Sequence, residues 1–216
     1  MAELIVVRHG QASFGADDYD ALSEVGQEQS RLAGDALREA GWIPDRLVTG
    51  SLRRQIDTLA AMGFNGEREE HAGFNEYDFQ DLLRVRFGGN VPPAVKGDRR
   101  THFRTLRDTI FEWQEDQLPG TAETWAEFAG RVDDARRFAT ETDARRVLVV
   151  SSGGPIGQLV ARALEAPTRM MMELNLQIRN ASLTRFVFSG ERFFLQEFNT
   201  TPHLAPLARQ GLVTYS

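Results

Sequence analysis

Arg8-His9-Gly10 closes the apolar run Leu4-Ile5-Val6-Val7, and it is the first point in the chain where reactive side chains follow a buried strand. An imidazole can attack phosphorus, bind a metal or cap a chain end. For an arbitrary Arg-His pair, the plain reading is a capping histidine beside a surface arginine. Position changes that reading here. Glycine lets backbone approach a ligand closely, and Arg53 and Arg54 follow Thr49-Gly50-Ser51 at the end of a second short strand. Two guanidiniums around one imidazole repel each other unless an anion lies between them, and their planar forks match phosphate. A neutral imidazole near its reference pKa, with its other nitrogen held by backbone, is then a nucleophile toward phosphorus, and the arginines stabilise charge on the equatorial oxygens. A metal at His9 is the rival reading. The histidines at 9, 71, 102 and 203 show no ligand spacing, so no metal is expected.

Composition narrows the field. The 216 residues suit one domain, or one domain with an insertion, and 41% hydrophobic with 26% charged residues is an ordinary globular mix. The absence of cysteine removes disulfides, thiolate metal sites and cysteine nucleophiles, and is compatible with a reducing, cytoplasmic setting. With 25 basic against 31 acidic residues the net charge is −6, which argues against a nucleic-acid partner. No stretch approaches the roughly 20 apolar residues that span a bilayer, so no membrane partner is expected. The N-terminal run has no basic region before it and reads as a strand, not a signal peptide.

The elements that must position these groups alternate between strand and helix. After Ser23 a helix is expected, with Val25, Leu32, Ala33, Ala36, Leu37 and Ala40 at helical spacing and Gly41 at its C-terminal cap. Arg46 to Thr49 reads as strand and Leu52 to Ala61 as helix. Phe64 to Gln117 is mixed in character, with a helix from about Arg100 to Glu115, and reads as an insertion. Thr124 and Glu127 have capping-box spacing before a stripe of Trp125, Phe128, Val132, Ala135 and Phe138. Val147 to Val150 is an all-apolar strand leading through Ser151-Ser152-Gly153-Gly154 into a helix that ends near Leu164. Ser182 to Phe188 and Arg192 to Phe198 form a hairpin. The pattern predicts an α/β, three-layer α/β/α fold with a mostly parallel sheet and an antiparallel edge. Ligands of such sheets lie outside the carboxyl ends of the strands, where the polar turns at 8–10, 49–51 and 151–154 converge.

Leu4-Ile5-Val6-Val7-Arg8-His9-Gly10-Gln11 resembles the signature of the histidine phosphatase superfamily, the phosphoglycerate-mutase-like fold. Leu22 to Gln29 is similar to the segment after that signature. Leu52-Arg53-Arg54-Gln55-Ile56-Asp57-Thr58 resembles the second motif, Phe74-Asn75-Glu76 the acidic motif, Val147 to Gly154 the last strand and turn, and Asn199 to Leu204 the common tail. The resemblance implies a single domain over 1–216 with a cap at about 77–118. It also implies a histidine acid-type phosphatase acting on a small phosphorylated substrate through a phosphohistidine. His9 would be the nucleophile and Glu76 the proton donor to the leaving alkoxide, partly desolvated so that it keeps its proton. Arg8 and Arg54 would hold the phosphoryl group, because alignment on Arg-x-x-x-Thr selects Arg54 over Arg53. Ser152, Gln11 and Gly153 would complete the phosphate site, with Ser13 in the same loop. Without its motif, Glu76 reads as a surface carboxylate at a helix start.

Ser152 stands where the family carries a second histidine, and a hydroxyl supplies one hydrogen bond but no positive charge. A catalytically weak phospho-ligand binder is therefore the alternative to a working enzyme. A third reading makes Ser152 a hydrolase nucleophile with His203 as base, although no Gly-x-Ser-x-Gly elbow surrounds it. Gly50 replaces a serine common in the second motif. Phe14 and Tyr77 stand where mutases of the family carry an asparagine and a basic residue, which favours hydrolysis by water without a bisphosphoglycerate cofactor. Arg84, Arg86, Arg99, Arg100 and Arg104 either meet an acidic leaving group or form a solvated helix face. The substrate and the oligomeric state are left open by the sequence.

Overall fold

The apolar run after Met1 becomes the middle of a sheet because both of its faces are covered. In a computed structural model, which describes residues 1–13, 20–93, 95, 99–190 and 192–215, β1 (Ala2–Arg8) pairs in parallel with β4 (Arg146–Ser151). Among the described residues the sheet has six strands, adding β2 (Arg46–Thr49), β3 (Arg68–Glu70), β5 (Leu183–Ser189) and β6 (Arg192–Thr200). Their order is β3-β2-β4-β1-β5-β6. The first four run parallel, and β5 and β6 form an antiparallel edge.

Strand geometry sends alternate side chains to opposite faces. Leu4, Val6, Val147 and Val149 meet one core, together with Phe128 and Val132 of α5 (Trp125–Thr140) and Ile156 and Leu159 of α6 (Gly153–Ala163). Ile5, Val7, Leu148 and Val150 meet the other, against Ala33 and Leu37 of α1 (Glu24–Glu39) and Leu59 and Met62 of α2 (Arg53–Met62). The result is the expected three-layer α/β/α arrangement. The helix caps are those read from the sequence. Ser23 accepts the Gly26 N–H, Gly41 takes φ +68° after α1, and Thr124 and Glu127 form a reciprocal capping box.

The segment from Phe64 to Gln117 contains more order than its composition suggests. It holds β3, a short 3₁₀ turn at Ala72–Phe74, α3 (Phe79–Arg86) and α4 (Arg99–Gln114). Strand β3 has the sequence Arg-Glu-Glu and lies at the sheet edge, where period-two hydrophobicity is absent. Leu82, Ile110, Trp113 and Leu118 join the same core as Phe128 and Ile156. A further short helix, α7 (Met170–Asn175), follows α6 and was not visible in the hydrophobic pattern. The hairpin is as expected, with β6 continuing to Thr200; Glu191 in its turn lies outside the described residues.

Helices α1 and α2 touch through Gly34, where a Cβ would lie 2.1 Å from the Met62 carbonyl oxygen. Backbone cannot yield there as a flexible side chain would. Gly34→Ala is expected to cost about 1–3 kcal/mol through overpacking, read as a lower urea midpoint at unchanged slope.

Candidate active site

Strand pairing fixes the floor of the site. Arg8 pairs with Ser151, Thr49 with Val150, and the His9 N–H donates to the Ser151 carbonyl at 2.9 Å. The three polar turns therefore meet at the carboxyl ends of adjacent parallel strands. Gly10 has its physical reason in packing rather than in ligand approach, since a Cβ there would lie 2.3 Å from the Gly26 carbonyl of α1. Its N–H donates to Thr58 Oγ1 at 2.9 Å, and Thr58 donates to the Arg54 carbonyl at 2.7 Å, so the tip of β1 is tied to α2.

His9 is 5% exposed, with Nδ1 at 2.8 Å from its neighbour's carbonyl, Gly10 O. A carbonyl can only accept, so Nδ1 carries the proton and Nε2 presents its lone pair. Arg54 Nε donates to that nitrogen at 3.3 Å. Burial, followed by the charges of Arg54 and Arg8, holds the imidazole well below 6.5, although the Gly10 carbonyl pulls the other way. The ring is thus more firmly neutral than the reference value expected from sequence.

The two candidate arginines of the second motif separate cleanly. Arg53 is 60% exposed in its side chain and pairs with Asp57, whereas Arg54 is 12% exposed and faces His9. Asp20 Oδ1 accepts from Arg54 at 2.5 Å and Oδ2 from the Arg53 N–H at 2.7 Å. Arg8 donates to the Ile178 carbonyl.

Glu76 is half-buried and not a surface carboxylate. Both of its oxygens accept the Gly154 N–H, at 3.1 and 3.2 Å, in the first turn of α6. A Cβ on Gly154 would lie 2.2 Å from Oε1, so glycine is what admits the carboxyl there. Burial raises its pKa above 4.5, outweighing the opposing pull of the Gly154 N–H, Arg54 and Arg8. His9, Glu76, Arg8 and Arg54 therefore share one electrostatic site.

The remaining predicted residues are placed differently. Ser152 is fully buried, and its Oγ accepts from Gln55 Nε2 at 2.9 Å. Gln11 Oε1 accepts from Ser23 Oγ at 3.0 Å. Gly153 lies beneath Asn175, whose Oδ1 would be 2.1 Å from a Cβ, with Arg8 Cζ 3.8 Å away. Tyr77 is buried against Trp113 and Phe128, with its hydroxyl accepting from Asn175 at 3.1 Å. Phe14 lies outside the described residues, as does the side chain of Arg99. Arg84 pairs with Asp81, Arg86 with Glu112, and Arg100 and Arg104 are exposed. Among the described residues no cluster of side chains is arranged to hold a metal, and no helix is long and apolar enough to cross a membrane.

Three site neighbours went unread in the sequence. Asp20 and Gln55 are two. The third, Asn180, donates to the His9 carbonyl at 3.2 Å and accepts from Thr214, which in turn accepts from Gln29. Gln55 did carry a signal, because it occupies the buried stripe 55, 58, 59, 62 of α2 where an apolar residue is expected.

A family model for the histidine phosphatase superfamily (branch 1) matches residues 4–201. Phosphoglycerate mutase-like protein 4 of Arabidopsis thaliana is 26% identical across 94% of this chain and 87% of its own length. Longer mycobacterial relatives are 26% identical, and the chain spans 51% of them. Among solved structures, an Entamoeba histolytica phosphoserine phosphatase in complex with phosphoserine superimposes with a TM-score of 0.68, at 20% identity, over 94% of this chain and 100% of the other. A mycobacterial glucosyl-3-phosphoglycerate phosphatase with inorganic phosphate gives 0.67, at 24% identity, over 95% and 100%.

His203 does not approach Ser152 as a base. Its ring is 3% exposed in a 3₁₀ turn, and neither nitrogen has a hydrogen-bond partner among the described residues. That removes the Ser152–His203 hydrolase reading. Burial, helped by Arg209, pushes the ring's pKa down to about 4. The unfolded chain, titrating near 6.5, then takes up the proton first. The stability held at neutral pH is lost as pH falls from about 6.5 through 4, by about 3 kcal/mol. His203→Phe forfeits no hydrogen bond and is expected to flatten that slope, measured by urea unfolding at pH 7 and pH 4.5.

Proposed function

The chain belongs to the histidine phosphatase superfamily, and from the site it builds we propose that it hydrolyses a small phosphomonoester through a phosphohistidine intermediate. One observation carries this reading. A neutral imidazole, its Nδ1–H spent on the Gly10 carbonyl, presents Nε2 beside Arg54 and shares its field with Arg8 and with Glu76, whose pKa burial raises.

In this reading His9 Nε2 forms a bond to phosphorus as the bond to the leaving oxygen breaks. Arg8 and Arg54 meet the charge on the phosphoryl oxygens. The contact from Arg54 Nε to the imidazole is exchanged for one to the phosphoryl group. Glu76 gives its proton to the leaving alkoxide, then takes one from the water that attacks phosphohistidine and releases phosphate. Tyr77 supports hydrolysis over phosphoryl relocation, since a buried, neutral phenol stands where a mutase of the family carries a cation. Residues 77–118 would face whatever the phosphate is attached to, with Gln11, Ser152 and Gly153 in supporting positions. The phosphatases named above, whose structures hold phosphoserine and inorganic phosphate, are in keeping with this substrate class.

A panel of phosphomonoesters with wild type and His9→Ala tests the reading. Turnover lost in His9→Ala, with an acid-labile phosphoryl label trapped only on wild type, is the expected outcome. A wild type that is thermally stabilised by phosphorylated ligands yet turns none over would establish a binding protein instead. The profile of kcat/KM against pH is expected to be bell-shaped. Its acid limb, from His9, should lie well below 6.5 and its alkaline limb, from Glu76, above 4.5. Glu76→Gln should remove the alkaline limb and lower the rate on the order of a hundred- to ten-thousand-fold for a poor leaving group.

A further inference from the structure

Gln55 is a fully buried glutamine with its hydrogen-bonding capacity aimed at three separate pieces of chain. One Nε2 hydrogen goes to the Phe74 carbonyl at 2.9 Å and the other to Ser152 Oγ at 2.9 Å, while Oε1 accepts the Leu52 N–H at 3.3 Å. Phe74 precedes Glu76 by two residues. Ser152 is the N-cap of α6, whose Gly154 N–H holds both Glu76 oxygens. Leu52 is the N-cap of α2, which carries Arg54. A second bond reinforces the first of these ties, since Ser151 Oγ also donates to the Phe74 carbonyl, at 2.8 Å. Gly50 leaves room for the amide. A Cβ at that position would lie 2.0 Å from Gln55 Oε1 and 2.5 Å from Asn75 Oδ1.

We propose that Gln55 is a positioning residue for the proton donor, locking the Glu76 loop to the N-terminus of α6 and to α2 in a register that requires glycine at position 50. The proposal rests on the assignment of Glu76 as the acid. It does not require Ser152 to touch phosphate; the hydroxyl serves as an anchor for the amide. A buried network of this kind stands or falls together, because each group left without its partner keeps its full desolvation cost.

Leaving-group chemistry separates positioning of an acid from general support of the fold. Departure of 4-nitrophenolate needs no proton, whereas departure of an alkoxide does. The measurement is kcat and KM on 4-nitrophenyl phosphate and on a simple alkyl phosphate for wild type, Glu76→Gln, Gln55→Met, Gln55→Glu and Gly50→Ala, each checked for folding by circular dichroism and thermal melting. Gln55→Met is expected to lose about ten-fold or more in kcat on the alkyl ester. Its loss on the aryl ester should be much smaller, its KM should change less than its kcat, and its alkaline limb should be displaced. Gly50→Ala should reproduce this selectivity, since its Cβ would displace the Gln55 amide. Should Gln55→Met fail to fold, Gln55→Glu and Gly50→Ala carry the same comparison. Equal losses on both esters in the folded variants, with Glu76→Gln still selective, would overturn the role of Gln55 and leave the acid standing. A Glu76→Gln variant without selectivity would overturn both.

Discussion

The site depends on one short contact, between His9 Nδ1 and the carbonyl of the residue that follows it. Because a carbonyl can only accept, that contact fixes the tautomer and turns the other nitrogen's lone pair toward the arginines. Burial and two nearby guanidiniums then keep a second proton off the ring. The same surroundings act in the opposite sense on Glu76, where burial outweighs the arginines and raises the carboxyl's pKa above its ordinary value. An imidazole held neutral and a carboxyl whose ionisation is disfavoured, beside Arg8 and the Asp20-paired Arg54, make a site that suits a tetrahedral anion.

Backbone approach rather than side-chain bulk holds this arrangement. Gly10 lies against α1, Gly50 beside Gln55, Gly153 beneath Asn175 and Gly154 against Glu76, each with less room than a methyl group needs. The parallel pairing of β1, β4 and β2 brings these turns to one end of the sheet, and the two cores on its faces keep the strands in register. Packing and chemistry are connected here, since a shift of α1 or α6 would be felt directly by His9 or Glu76.

Much of this was legible because parallel, buried strands read as uninterrupted apolar runs and their ends stand out as polar turns. Arg8, His9, Arg54 and Glu76 could be named from such turns and from their resemblance to a known set of motifs. The supporting residues could not. Asp20, Gln55 and Asn180 act through hydrogen bonds to segments distant in sequence, and nothing in local spacing announces those partners. Ser152 and Gln11 were read by position in a motif, while their hydroxyl and amide are engaged with Gln55 and Ser23. Strand β3 went unseen because an edge strand of Arg-Glu-Glu has no apolar face. His203 was legible as a tail residue, but its burial without partners is a property of three-dimensional packing.

The chain of contacts that starts at the His9 carbonyl runs through Asn180 to Thr214 and on to Gln29, whose amide also meets the Leu212 carbonyl. The segment at residues 212–214 is thereby a brace for the backbone of His9. Changes introduced at Thr214 would be transmitted to the His9 backbone through two successive hydrogen bonds, by way of Asn180. A substitution there is thus a mechanical intervention at the site, made from a distance.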